Sequence, residues 1–195
     1  MLKNIVFTSL LLLPIYSYAN EFTNFSEQGI SLQIPTECRI RESDEVEDLR
    51  ENAARLIGEP HTSTVLLSMK CGGSGLGANL RLSYEVEENH YPNFNSELES
   101  LSSQERRELE KEIAADLIRQ SMLFSVSNVS VKILNREPKT GILIHYHRAG
   151  DWSVFIYNFP DESNQRKIIL TLSHHIPEKE KFEPIFEKVI NSLQF

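Results

Sequence analysis

The sequence predicts an α+β fold: an antiparallel β-sheet of about six to seven strands flanked by helices on both faces, as in an α/β/α sandwich. Segments with alternating apolar and polar residues recur along the chain with mostly short connections, which is typical of an antiparallel meander. Longer segments carry apolar residues at helical spacing, which predicts amphipathic helices packed on that sheet.

Residues 1–19 predict a cleaved export signal. Lys3 precedes a short apolar run, and small residues stand before the predicted cleavage point between Ala19 and Asn20, as signal peptidase requires. The apolar run is too short to span a bilayer. We therefore expect no stable membrane insertion after cleavage, a periplasmic or secreted location, and a single globular domain over residues 20–195.

The first half of this domain predicts three strands and one helix. Residues 29–35 alternate and end at a proline, which predicts a strand, and Ser43 is a suitable N-cap for the helix that follows. Strands predicted at residues 62–70 and 79–87 are separated by the glycine-rich segment 71–77. Because a strand rather than a helix follows these glycines, we interpret them as a hairpin loop and not as a phosphate-binding loop.

The second half predicts a loop at residues 90–101, then a long helix, a meander and a closing helix. Ser102 and Glu105 form a capping-box pattern at the start of the long helix, which extends to about residue 124. The closing helix carries an apolar stripe from Phe182 to Leu193. The meander strands are predicted at residues 129–136, 142–148, 152–158 and 166–174.

Charge and cysteine content limit the partners and the redox compartment. The formal net charge of −8 argues against nucleic acid. It suits a protein partner with a basic surface or a cation, and solubility alone would also explain it. Cys38 and Cys71 are the two cysteines. In an exported protein they predict a disulfide, while two free thiols or a metal or redox pair are the alternatives.

His145 and His147 are the clearest pair of candidate site residues. Residues two apart in a strand point to the same side, so both imidazoles share a face with Leu143. The following hairpin sets what lies opposite them, since a two-residue turn at residues 149–150 or 150–151 fixes the pairing. The first turn places His147 and His145 opposite Trp152 and Val154, and the second places them opposite Val154 and Ile156.

Two histidines on a strand, with His174 or His175 as a third, have the donor chemistry of a zinc or copper site. The other interpretation is that they are half-buried structural histidines. Glu85 and Glu87 also share a strand face, and they are either an acid–base pair in a cleft or solvated side chains on an edge strand. The sequence has none of the common motifs of nucleophilic or metal-dependent hydrolysis, so we predict no catalytic residue and no cofactor.

The order of elements resembles the PsbP/Mog-like family of α/β/α sandwiches. The resemblance is carried by the strand GISLQIP at residues 29–35, the meander after a long helix, and the closing segment INSLQF at residues 190–195. It implies a fold and a mostly non-catalytic role as an accessory subunit, binding module or assembly factor. It supplies no catalytic residues.

These observations predict an exported, non-catalytic protein-binding module, such as an envelope accessory or assembly factor. One alternative is an immunity-type inhibitor that covers the active site of a secreted toxin with its acidic surface. The other is a metal or small-ligand carrier that uses the strand histidine pair and has a pocket on that face of the sheet.

Overall fold

The structure is a computed structural model that describes residues 21–47, 63–72, 77–86, 94–121, 126–136 and 139–195. The predicted export signal and its cleavage point at Ala19 and Asn20 lie outside the described residues. So does most of the helix predicted after Ser43, of which residues 43–47 are helical.

Seven of the described strands form one antiparallel sheet. They are β3 (Cys38–Ile40), β4 (Thr64–Cys71), β5 (Ala78–Val86), β6 (Ser127–Arg136), β7 (Lys139–Arg148), β8 (Trp152–Asp161) and β9 (Arg166–His175). Their order in the sheet is β3-β4-β5-β9-β8-β7-β6. The predicted meander is confirmed, because β6 to β9 are consecutive neighbours. Strand β9 also pairs with β5, and so joins the two halves of the chain.

The predicted first strand belongs to a separate hairpin. Strands β1 (Phe22–Glu27) and β2 (Ile30–Pro35) form a two-stranded sheet. Gln28 and Gly29 connect them and both have positive φ, 52° and 76°, as a tight type I′ turn requires. The sequence did not predict β1, because its inward residues Phe22 and Phe25 are three apart and break the alternation of a strand.

Besides the helical residues 43–47, the described part of the chain contains the helices α1 (Phe94–Ser100), α2 (Ser103–Ser121) and α3 (Lys179–Ser192). The prediction of a loop at residues 90–101 was wrong for α1, a short helix whose Leu98 is buried. The predicted capping box of α2 is confirmed: Glu105 N donates to Ser102 Oγ, and Ser102 N donates to a Glu105 carboxylate oxygen. No described helix is long and apolar enough to cross a membrane.

The core lies between α3, β2 and strands β4, β5 and β9. Helix α3 buries an apolar stripe of Phe182, Ile185, Phe186, Val189 and Ile190, and it packs mainly on β2 and β9. Its end is fastened to the hairpin by backbone hydrogen bonds between Ser31 and Gln194 and by a bond from Gln33 N to Ser192 Oγ. Helix α2 packs on β6, and α1 packs on β7.

A buried ion pair closes the β8–β9 connection. Arg166 Nε donates to Asp161 Oδ2 at 2.7 Å, and the two side chains are 9% and 2% exposed. Burial alone would raise the pKa of Asp161, but hydrogen bonds from Arg166, Asn164 and Ser163 outweigh burial and hold that pKa below its usual range. The pair is therefore a charged structural link rather than a candidate proton donor.

The predicted disulfide between Cys38 and Cys71 is confirmed. It joins directly opposite residues of β3 and β4, and both cysteines are buried. The bond holds the three-residue edge strand β3 on the sheet, where few other ladder contacts fix it. A buried bridge of this kind fits an exported protein.

Replacing both Cys38 and Cys71 with alanine should lower the free energy of unfolding by roughly 3–4 kcal/mol, because the unfolded chain regains the entropy that the cross-link removes. Denaturant unfolding of the variant and of the oxidised and reduced wild type measures this loss. Reduced wild type should match the variant. An unchanged midpoint in both would show that the bridge does not constrain the unfolded chain.

Candidate functional site

An open groove of about 480 Å³ lies between α3 and the strands β6, β7 and β8. Helix α3 supplies one wall, and the sheet supplies the other with half-buried apolar residues. Two glutamates of α3 lie along the groove: Glu183 is partly exposed and Glu187 is exposed. The lining residues are Leu134, Leu143, Phe155, Tyr157, Glu183, Phe186, Glu187 and Ile190.

The predicted histidine pair lies on the face of the sheet that forms this groove. His145 and His147 share that face with Leu143, and their ring centroids are 5.3 Å apart. The predicted common face is therefore correct. Leu143 itself lines the groove. The rings of His145 and His147 therefore lie further along the same face of β7, beyond the apolar residues of the groove.

Both predicted hairpin registers were wrong by one residue. His147 pairs with Ser153 and His145 pairs with Phe155. The turn contains all of residues 149–151, so that Arg148 lies opposite Trp152. The register therefore leaves three residues in the turn rather than the two that were predicted, and Gly150 and Asp151 within it adopt positive φ, 79° and 58°.

His145 is held in its neutral form by its surroundings. Its ring stacks on Phe155 with a centroid distance of 4.4 Å, and its Nε2 lies 2.9 Å from Ser153 Oγ. Burial is the main cause that lowers the pKa of His145, and electrostatic interactions with His147, His174, Lys132 and Lys179 lower it further. Protonating this ring inside the fold is thus unfavourable.

Ser153 and His145 have the spacing of a nucleophile and its base, but Ser153 is only 4% exposed. A substrate cannot reach the hydroxyl in this conformation. The bond instead gives a buried serine a polar partner. His147 is fixed separately, since Asn128 Nδ2 lies 2.9 Å from His147 Nδ1 and donates to it.

His174 lies on the same face, on the far side of Ser153, which pairs with His147 on one strand and His174 on the other. The ring is 1% exposed. Its Nδ1 lies 2.9 Å from the carbonyl oxygen of His175 and donates to it. Its Nε2 is buried without a hydrogen-bond partner, and Glu183 Oε1 is the acid nearest to it, at 3.8 Å.

Among the described residues, none completes the predicted metal site at His145 and His147 as a third ligand. In the parts of the chain that the structure describes, no group of three or more histidine, cysteine, aspartate or glutamate side chains is arranged to hold a metal ion. His145 and His147 each use one ring nitrogen in a hydrogen bond. Zinc or copper at this pair therefore stays a prediction that requires further ligands.

The paired-carboxylate hypothesis at Glu85 and Glu87 has a different outcome for each residue. Glu85 forms an ion pair with Lys167, 2.7 Å from its carboxylate, directly across the ladder. Strand β5 is an interior strand between β4 and β9, so its interpretation as an edge strand was wrong. Glu87 lies outside the described residues.

The sequence did not indicate the helix side of the groove or the position of Ser153 between His147 and His174. Glu183 and Glu187 follow the i, i+4 spacing of one helix face, beside the apolar stripe of α3. That spacing identifies the face, but only the packed structure shows that the sheet stands opposite it.

No protein-family model matches this sequence, and no curated protein matches it. Among solved structures, the cyanobacterial PsbP protein CyanoP from Synechocystis sp. PCC 6803 is similar, with a TM-score of 0.56. The sequences are 9% identical, and the match covers 90% of this chain and 92% of the other. This chain has a PsbP-like fold.

A protein of unknown function from Pseudomonas aeruginosa is a further structural match. Its TM-score is 0.44 at 11% identity, over 89% of this chain and 96% of the other. The PsbP-like fold agrees with the resemblance that the sequence suggested. Separately, the confirmed disulfide fits an exported protein.

Replacing His145 with glutamine should flatten the pH dependence of stability. Because burial lowers the pKa of His145 in the folded state, the unfolded chain takes up a proton first as the pH falls through about 6.5. The free energy of unfolding therefore decreases from there down to the lowered folded-state pKa.

Denaturant unfolding between about pH 7.5 and pH 5 measures this slope. The His145→Gln variant should lose it, and His175→Gln, which leaves His145 in place, should keep it. Identical slopes in wild type and His145→Gln would show that His145 does not titrate differently in the two states.

Proposed function

We propose that this chain is an exported, non-catalytic protein-binding module, periplasmic or secreted, and that its binding site is the groove beside α3. The observation that carries the proposal is an open apolar groove with glutamates along one wall. The disulfide supports export. The role of accessory or assembly factor is part of the proposal.

The groove has the composition of a protein-binding surface. Phe155, Tyr157 and Leu143 offer half-buried apolar area, and aromatic residues of this kind commonly anchor interfaces. Because folding leaves this area partly exposed, covering it with a partner's apolar side chain releases water and favours association.

Charge favours a basic partner. Glu183 and Glu187 line the groove, and the whole chain has a formal net charge of −8. Opposite charges around an apolar contact speed association and exclude like-charged competitors. An immunity-type inhibitor would use the same surface against a basic toxin, so the identity of the partner decides between that role and an accessory factor.

Groove volume supports a carrier of small ligands as a second candidate. The volume of about 480 Å³ is within the range of small-molecule pockets. A carrier would release its ligand on denaturation, whereas a protein-binding module would be purified empty and would associate only with its partner.

We also propose the full α/β/α arrangement, with helices on both faces of the sheet. Thr140 Oγ1 donates to Glu99 Oε1 of α1 at 2.8 Å. Because successive residues of a strand point to opposite faces, Thr140 points away from the face on which Gly141 and the groove-lining Leu143 lie. The bond therefore supports a position of α1 on the face away from α3.

A groove variant tests the proposed function. Leu143→Lys places a charge in the apolar wall opposite Tyr157 and beside Lys132 of the next strand, so it should weaken capture of a basic partner by about tenfold or more. The exported protein, immobilised with its disulfide formed, captures partners from the native envelope and secreted fractions.

Val86→Lys is the matched control, because Val86 is 68% exposed and lies on β5, away from the groove. It should capture the same partner as wild type, and both should be released by salt. A partner captured equally by both variants would exclude the groove as its binding site. Thermal unfolding checks that Leu143→Lys is folded.

A further inference from the structure

We propose that the His174 end of the groove is a subsite for a single cationic side chain, the guanidinium of an arginine or the ammonium of a lysine. The partner would insert an apolar side chain into the groove and place the adjacent cation between His174 and Glu183. This inference rests on the proposed function and specifies what the groove recognises.

His174 has a buried acceptor next to this end of the groove, beside Phe155 and Phe186. Since its Nδ1 donates to the carbonyl oxygen of His175, the neutral ring carries its lone pair on Nε2. That atom is buried in this conformation and has no hydrogen-bond partner, so a ligand reaches it only when the neighbouring Glu183 side chain moves outward. A buried polar atom without a partner costs free energy, so a donor supplied by a ligand is favoured here.

Glu183 presents a second acceptor facing the first. Its Oε1 lies 3.8 Å from His174 Nε2, and two acceptors at that distance do not bond to each other. A group with several N–H donors, such as guanidinium, reaches both at once. Glu183 also lines the groove and its side chain is 41% exposed, so the carboxylate is accessible to a partner.

The subsite is continuous with the apolar part of the groove. The His174 ring contacts Phe155 and Phe186, with centroid distances of 5.9 and 5.8 Å, and both phenylalanines line the groove. An apolar side chain resting on these rings therefore brings a neighbouring cation next to His174. Recognition needs both parts: an apolar residue and an adjacent basic residue.

Lys179 shows that Glu183 accepts a cation. Its Nζ lies 3.8 Å from Glu183 Oε2, and the lysine side chain is 62% exposed, so the contact is weak and easily displaced. Lys179 is therefore a competitor for the same carboxylate. A metal ion is disfavoured, because no third ligand is arranged here among the described residues.

Two peptides that differ in charge alone test the subsite. The probes are acetyl-Phe-Arg amide and acetyl-Phe-citrulline amide, added at low salt to the exported protein with its disulfide formed. The ring nitrogens of His174 and the amides of β8 are followed by NMR. The arginine peptide should shift His174 Nε2 and bind about tenfold more tightly, as expected for a hydrogen bond to a charged group.

Variants of α3 show which carboxylate binds the cation. Glu183→Gln should reduce the affinity for the arginine peptide to that of the citrulline peptide, and Lys179→Gln should increase it by removing the competitor. Glu180→Gln, which removes an exposed carboxylate of the same helix, is the matched control and should change little. A stronger effect at Glu180 than at Glu183 would overturn the assignment.

Equal affinity for both peptides, with shifts in β8, would overturn the subsite while leaving the groove as a binding site. Binding of neither peptide would overturn the recognition of an apolar–basic pair. Partner capture by the Leu143→Lys variant would still test the proposed function separately. A shift of His174 Nε2 by zinc alone, with neither peptide bound, would overturn the inference in favour of a metal.

Discussion

The position of α3 on the sheet determines which face of strands β6 to β8 stays open. Its apolar stripe is buried on β2 and β9. Gln33 N donates to Ser192 Oγ at the end of the helix, and backbone hydrogen bonds between Ser31 and Gln194 hold the segment after it to the hairpin. Because the helix is tied at this side, its edge with Glu183 and Glu187 faces the strands β6 to β8 across open space. The groove is thus a direct result of helix placement.

Strand register arranges the polar end of that groove. The three-residue turn at residues 149–151 places Ser153 between His147 and His174. A slip of one residue would bring Val154 into this position and turn Ser153 to the other face. The bond between Ser153 and His145 and the stacking of His145 on Phe155 therefore depend on a turn of the correct length.

Local patterns predicted the long strands and helices and the shared face of the two histidines, because each depends on residues near one another in sequence. The disulfide was predicted from the oxidising compartment that the export signal implies. Strand β3 is too short for a pattern, β1 does not alternate, and α1 has only Leu98 buried in its described part. The turn of three residues includes a positive φ at Asp151, and the presence of an aspartate did not indicate the length of the turn. The groove and the approach of Glu183 to His174 arise from packing between distant segments, so no local pattern contains them.

Site-specific photocrosslinking tests the central claim, that the face left open by α3 is a binding groove. A benzophenone amino acid at Tyr157, which lines the groove, is compared with the same group at the exposed Val86, in the native host. We expect one dominant crosslinked protein from position 157, with a basic residue next to an apolar one in the crosslinked segment, and no such product from position 86. The same products from both positions, or none from position 157, would contradict it.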